Sequence, residues 1–190
     1  TVTLTEKKHK LIPTRAASYT ITVFFILFSS FFAFAYLLST YAAPDTRLQA
    51  AKFAKERLPA NASYLSEVYD LGITPFNPLF QNIVLFNFYD LDTDSLDASP
   101  KQLETLQENT DYLILPSQRI YKTRLMQPER FPRGHRFYSG LKTNSSYTKI
   151  YETPCDFFCR ITYLGDPVFS YEESASVFDR PTVMIYKKND

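Results

Sequence analysis

Cysteine, histidine and net charge are all scarce in this chain of 190 residues. It has two cysteines, two histidines, and 21 basic against 20 acidic side chains. Two cysteines cannot build a disulfide-dense miniprotein, and a net charge of +1 excludes a chain-wide electrostatic binder of nucleic acid. His135 is the only histidine after residue 45, and no serine lies in a G-x-S-x-G sequence, so a hydrolase triad is not expected.

Charged residues are absent between Arg15 and Asp45, and most of this interval is apolar. A hydrocarbon core of about 30 Å needs about 20 helical residues, so we predict a transmembrane helix over residues 18–41. Two other interpretations are a buried core helix and a cleavable signal peptide. The apolar run continues to Leu38, beyond the about 7 to 15 residues of a signal peptide, and this favours a membrane anchor.

The charges on either side of the apolar run predict its orientation. Residues 1–17 carry four Lys or Arg side chains against the single acid Glu6. By the positive-inside rule, we expect residues 1–17 to be a basic cytoplasmic segment and residues 45–190 to be an extracytoplasmic domain. The predicted location is therefore the cell membrane, with the lipid bilayer as a partner.

Helical and strand patterns alternate after the apolar run, which predicts a small α/β domain with a mixed, partly parallel sheet. Asp45 is a suitable cap for the first helix of this domain, and Ser99 with Pro100 is a suitable start for the next. The predicted helices cover residues 45–58, 99–109 and 134–142. The predicted strands cover residues 63–69, 83–89, 111–115, 147–152, 159–164 and 182–187, and residues 116–132 are predicted to be mostly loop.

The strongest charge feature is a basic segment on an otherwise acidic domain. Six basic side chains stand here against Glu129 alone, and aromatic residues including Tyr121 lie between them. Arginine grips phosphate oxygens with two parallel N–H groups, so the segment is a candidate site for a lipid-linked phosphate. The alternative is a solvated loop paired with the acidic remainder of the domain, and nucleic acid is not an expected partner. The basic residues are Arg119, Lys122, Arg124, Arg130, Arg133 and Arg136.

Two groups of carboxylates are weaker candidates. Glu67 and Asp70 follow a predicted strand and are suited to acid–base work or to binding sugar hydroxyls, although such pairs are often turn and cap residues. Residues 90–97 contain alternating aspartates, but Ser95 and Lys101 stand where an EF-hand needs glycine and glutamate. We therefore expect no metal site in residues 90–97, and a solvated turn there.

Cys155 and Cys159 form a C-x-x-x-C sequence. A zinc site needs four ligands, and the chain offers no second Cys or His pair. Outside the cytoplasm we expect a local disulfide, with free thiols as the alternative.

Three stretches of the domain resemble one enzyme family. Residues 111–121 read DYLILPSQRIY, Arg124, Arg130-Phe131-Pro132 and Phe137-Tyr138 follow, and residues 175–186 read ASVFDRPTVMIY. These motifs resemble the C-terminal extracytoplasmic region of multipass membrane glycosyltransferases of the protein O-mannosyltransferase-like family. Arg180 stands where that family usually has histidine. Neither the cysteine pair nor the Tyr69-Asp70-Leu71-Gly72 stretch is a general family feature.

The resemblance implies transfer of a sugar from a polyprenyl-phosphate donor to an extracytoplasmic acceptor. The catalytic carboxylate of that family lies in an upstream outer loop, so we expect this chain to be a fragment that does not catalyse alone. The implied partners are the upstream transmembrane region and the polyprenyl-phosphate sugar; no cofactor is expected here, and any divalent cation would come from the upstream part. The alternative is a non-enzymatic, membrane-tethered binding or assembly module. The residues expected to hold phosphate or substrate are Arg119, Tyr121, Arg124, Arg133, Arg136, Glu67 and Asp70.

Overall fold

A computed structural model describes residues 14–70, 80–93, 98–143, 146–162 and 175–189. Its first element is the helix α1, Thr14–Leu37, which continues through a π-helical turn at Leu38–Ala42. The large apolar side chains of α1 point outward on several faces, and Phe24 and Leu27 are 62% and 65% exposed. By length and composition, one helix of the described residues is able to cross a membrane. A signal sequence meets the same two criteria.

The domain that follows contains a five-stranded mixed sheet, which confirms the predicted α/β class and the partly parallel pairing. The strands have the spatial order β2-β1-β3-β5-β4. Strands β2, β1 and β3 are parallel, whereas β5 runs antiparallel to both β3 and β4. The strands are β1 Ser63–Glu67, β2 Asn82–Phe86, β3 Tyr112–Leu115, β4 Tyr147–Glu152 and β5 Met184–Lys188.

The domain helices begin at the side chains that the sequence predicts as caps. Asp45 accepts a hydrogen bond from the backbone N–H of Arg47 at the start of α2, and Ser99 accepts one from Gln102 at the start of α3. A short 3-10 turn, Asp90–Asp92, precedes α3. The helices are α2 Thr46–Arg57, α3 Pro100–Glu108, α4 Arg119–Met126, α5 Pro132–Thr143 and α6 Phe157–Thr162, and a π-helical turn follows at Ala175–Asp179.

Alternate residues of the central strands supply two separate cores. Tyr64 and Tyr112 point to the face covered by α2, where their rings stack with centroids 5.2 Å apart. Leu65 and Leu113 point to the opposite face and pack with residues of α3, α4 and α5. Since a fully buried Leu contributes about 1.5–3 kcal/mol, both faces must be covered for the sheet to be stable. The domain is therefore three-layered.

Two predictions about local structure are wrong. The interval 116–132, predicted to be mostly loop, contains the helix α4, which buries Ile120, Tyr121 and Arg124 on one side. The segment 159–164, predicted to be a strand, begins as part of the helix α6, and residues 163–164 lie outside the described residues. Asp156 accepts a hydrogen bond from the backbone N–H of Cys159 at 2.9 Å, and this cap favours the helical turn over a strand.

Candidate functional site

The carboxyl ends of β1 and β3 lie side by side at the switch point of the chain topology, and we call this edge of the sheet the strand-end crevice. These strands are adjacent and parallel. The chain leaves β1 toward β2 on one side of the pair and leaves β3, through α4 and α5, toward β4 on the other side. In open α/β sheets, ligands bind where successive connections diverge in this way. Glu67 ends β1 and Asp70 follows it at this crevice, and Ser117 and Arg119 follow β3.

Glu67 is the last residue of β1 and has no exposed surface. The hydroxyl of Tyr138 donates a hydrogen bond to its Oε1 at 2.9 Å, and its Oε2 has no hydrogen-bond partner among the described residues. Burial raises the pKa of the Glu67 carboxyl to about 8, against a smaller opposing effect of the Tyr138 hydrogen bond. The carboxyl is therefore mostly protonated at pH 7 and holds a proton inside the domain.

Asp70 lies next to this buried acid in a left-handed backbone conformation, with a φ of 63°. Its Oδ2 accepts a hydrogen bond of 2.6 Å from the Ser117 hydroxyl, and its Oδ1 lies 3.4 Å from Nη1 of Arg119. The side chains of Asp70 and Arg119 are 7% and 20% exposed. The contacts join two segments that lie 47 residues apart. The Arg119 side chain is the part of this group with the larger access to solvent.

Arg119 also connects the crevice to the end of α1. Its guanidinium lies 5.1 Å from the ring centre of Phe178. The next two residues contact α1 directly, because Asp179 accepts a hydrogen bond from Tyr36 and Arg180 donates one to the carbonyl of Ser39. The crevice therefore lies at the edge of the domain that packs against the apolar helix.

The second predicted arginine, Arg124, is buried among packed side chains and stabilises the fold. It is 3% exposed, it donates a hydrogen bond of 3.0 Å to the Tyr89 carbonyl, and its guanidinium lies 3.7 Å above the Phe131 ring. The carboxylate of Asp92 is 3.8 Å away. Burial lowers the pKa of Arg124, and the nearby Asp92 charge opposes this effect. Arg124 joins α4 to the loop before α3.

The remaining predicted residues do not lie beside Asp70 and Arg119 at the crevice. Arg133 donates to the carbonyls of Leu91 and Thr93 at 3.4 and 3.3 Å, and Arg136 is exposed on α5. Tyr121 is 2% exposed in the core, where it packs edge-on against Tyr138. Of the five basic-segment residues named as candidates, the structure thus places Arg119 beside Asp70.

Ser117 and Tyr138 are two site residues that belong to the family-like motifs but are not among the predicted binding residues. Ser117 comes two residues before Arg119 and directly after the strand-ending Leu115-Pro116, so its place at a strand end was a usable signal. Tyr138 lies on α5, 71 residues from Glu67, and no sequence pattern connects the two.

The acidic run after β2 has a structural role. The carboxylate of Asp92 accepts hydrogen bonds from the backbone N–H groups of Arg133 at 2.7 Å and Gly134 at 3.1 Å, which caps the first turn of α5. Asp94 and Asp97 lie outside the described residues. Among the residues that the structure does describe, no group of three His, Cys, Asp or Glu side chains is arranged to hold a metal ion.

The two cysteines, Cys155 and Cys159, are joined in a disulfide that closes one turn at the start of α6. Their Cα atoms are 5.3 Å apart. The bond stiffens this turn, because the loop it closes is too short to restrict the unfolded chain strongly.

In comparisons with known proteins, no family model, curated protein or solved structure matches the chain. The likeness to the protein O-mannosyltransferase-like family stays a prediction made from sequence motifs. The candidate site is defined by the geometry at the carboxyl ends of β1 and β3.

Proposed function

We propose that this chain is the C-terminal part of an integral membrane glycosyltransferase that takes its sugar from a polyprenyl-phosphate donor. In this proposal α1 is a membrane anchor, the domain is extracytoplasmic, and the domain assists catalysis by helping to hold the donor phosphate. The observation that carries the proposal is the position of Arg119. It lies at the strand-end crevice and, through Phe178, at the edge of the domain that packs on α1.

A lipid-linked phosphate has its charge at the membrane surface, so its protein ligand must face that surface. Arg119 meets this requirement if α1 spans the bilayer, because the contacts of Asp179 and Arg180 with α1 are next to Phe178 in the chain. Arginine binds phosphate oxygens with charge-assisted hydrogen bonds that strengthen as the leaving phosphate gains charge. The sequence motif that contains Arg119 is also one of the stretches that resemble the glycosyltransferases.

In this proposal, the Arg119 guanidinium exchanges the Asp70 carboxylate for the donor phosphate. Its carboxylate holds the Arg119 guanidinium in the absence of substrate. An arriving phosphate competes with Asp70 for the same guanidinium, and the Ser117 hydroxyl then remains as a hydrogen-bond donor to Asp70. The buried, protonated Glu67 behind Asp70 adds no second negative charge to repel a phosphate at pH 7.

Binding of undecaprenyl phosphate tests the phosphate role directly. The chain is placed in phosphatidylcholine nanodiscs that contain this lipid, and the bound fraction is measured by native mass spectrometry. Because a charge-assisted hydrogen bond contributes about 1.5–3 kcal/mol, Arg119→Gln is expected to weaken binding by about tenfold or more. Arg57→Gln removes an equal charge from the exposed end of α2, which precedes the amino end of β1 and not its carboxyl end at the crevice, and is the matched control.

Transfer activity tests the wider proposal in the full-length protein. Membranes that contain the complete protein are given a polyprenyl-phosphate sugar, and Arg119→Gln is expected to slow sugar transfer. Wild-type protein that neither transfers sugar nor binds undecaprenyl phosphate would contradict the proposal and favour the tethered binding or assembly module.

A further inference from the structure

The outer half of α1 and the π-helical turn after it present one stripe of residues to the domain. Phe31, Ala35 and Ser39 are spaced four residues apart and therefore lie on one face of the helix. Ala35 and Ser39 are 3% and 6% exposed, and their small side chains allow close approach. The Phe31 ring contacts the ring of Phe157 edge-on, with centroids 6.1 Å apart.

A polar cluster fixes α6 against this stripe. Asp156 accepts a hydrogen bond from the Ser39 hydroxyl and lies 2.7 Å from Nη2 of Arg180. Arg180 also donates to the Ser39 carbonyl. The same Asp156 caps α6, and the Cys155–Cys159 disulfide closes the turn around it. These bonds hold the start of α6 beside α1 in one position.

The geometry of α1 gives the depth of Phe157. A span of about 20 residues that begins after Arg15 ends at Ala35, where the domain first buries the helix face. Phe31 lies four residues before Ala35, about 6 Å deeper at 1.5 Å per residue. If the span instead ends at Tyr41, as the hydropathy predicts, Phe31 lies about 15 Å below its outer end. Either boundary places Phe31 and the ring in contact with it inside the hydrocarbon core.

Phe157 has the surface expected of a side chain in lipid. It is 58% exposed, although its ring already contacts α1. On α1, Phe34 and Leu37 share this property, since they are 61% and 51% exposed. The exposed apolar surface of α1 thus meets Phe157 of α6 through the Phe31 ring, whereas the charged pair Asp156–Arg180 lies at the level of Ser39, nearer the water.

We infer that the start of α6 dips into the outer leaflet of the bilayer, with the Phe157 side chain among the acyl chains and the Asp156–Arg180 pair at the headgroups. This inference rests on the membrane anchoring in the proposed function. The disulfide and the polar cluster keep the turn rigid, so α6 and α1 together set the height of the domain above the membrane. The strand-end crevice is thereby held at a fixed distance from the lipid surface.

Tryptophan fluorescence tests the inference, because the chain contains no tryptophan. Phe157→Trp is reconstituted in phosphatidylcholine vesicles whose acyl chains carry bromine at carbons 6 and 7, a quencher that acts at short range. A side chain buried about 5–10 Å into the headgroup–acyl boundary lies near these bromines, so its fluorescence is expected to fall relative to unbrominated vesicles. Glu108→Trp, at the exposed end of α3 and at the opposite edge of the sheet, is the control that should keep its intensity.

A third variant separates failure of the inference from failure of the anchor. Phe24→Trp lies in the middle of α1, at a side chain that is 62% exposed. If Phe24→Trp is quenched and Phe157→Trp is not, the leaflet insertion is overturned while the anchor stands. If neither is quenched, α1 does not span the bilayer and the proposed function loses its membrane geometry as well. Blue-shifted but unquenched emission from Phe157→Trp would mean that protein, for example a second copy of the chain, covers this surface.

Discussion

Replacing Glu67 by glutamine tests the protonation of the buried acid. The folded protein holds the proton of Glu67 up to a pKa of about 8, whereas the ordinary value for glutamate is 4.5. The contribution of this group to stability is therefore fully present below pH 4.5 and is lost as the pH rises through about 8. At about 1.4 kcal/mol per pH unit, wild-type protein loses about 3 kcal/mol between pH 5 and pH 7.5 relative to a variant that cannot ionise.

Glu67→Gln is such a variant, because its amide oxygen still accepts the Tyr138 hydrogen bond. Urea unfolding of the full chain in detergent micelles, followed by near-ultraviolet circular dichroism at several pH values, gives the free energy of unfolding for both proteins. The difference between them is expected to grow in favour of Glu67→Gln as the pH rises. Glu104→Gln makes the same chemical change on an exposed side chain of α3 and serves as the control. Parallel curves for wild type and Glu67→Gln would refute the assignment of a buried, protonated carboxyl.

Thermal unfolding of the full chain in detergent tests four further predictions about α4 and α5. Gly134→Ala would place a Cβ 2.8 Å from Asp92 Oδ2 and 3.0 Å from two Arg124 carbons, and a loss of about 1–3 kcal/mol is expected. Gly140→Ala meets no atom within 4 Å and should stabilise α5 by about 0.5–1 kcal/mol; equal effects at the two glycines would contradict the packing. Asp92→Ala removes the α5 cap and should cost about 1–2 kcal/mol. Arg124→Ala exposes the Phe131 ring and loses the hydrogen bond to Tyr89, so it should cost about 3 kcal/mol, and a change below about 0.5 kcal/mol would show that Arg124 is not structural.

Hydrophobic pattern and cap chemistry predict most of the local structure. The Tyr112–Leu115 strand is apolar at every position because both of its faces are buried, and the Ser99-Pro100 start of α3 follows from backbone geometry. The helix α4 escapes this reasoning because one of its buried residues is Arg124. In a sequence, a charged side chain predicts a solvent-exposed position. Only the aromatic rings packed on Arg124 explain why it is buried.

The candidate site depends on contacts between distant segments. Glu67 and Asp70 lie at and after the end of β1, and Ser117 and Arg119 lie between β3 and α4 and at the start of α4. The order of strands in the sheet brings these two segments together. Sequence reasoning names Arg119 and Asp70 but treats them as parts of separate features. It groups Arg119 with four other residues because they are close in sequence, whereas helical geometry distributes those residues between the core, the α5 surface and the crevice.

The sequence by itself determined the long apolar helix and the α/β class. Both follow from the removal of apolar side-chain surface from water. The local hydrophobic pattern of each stretch specifies this burial with little dependence on distant residues. Tertiary structure decided which acid is protonated, which arginine faces the crevice and how α6 lies against α1. Those properties depend on burial and on charge partners 47 to 143 residues away, and only the folded chain brings them within hydrogen-bond distance.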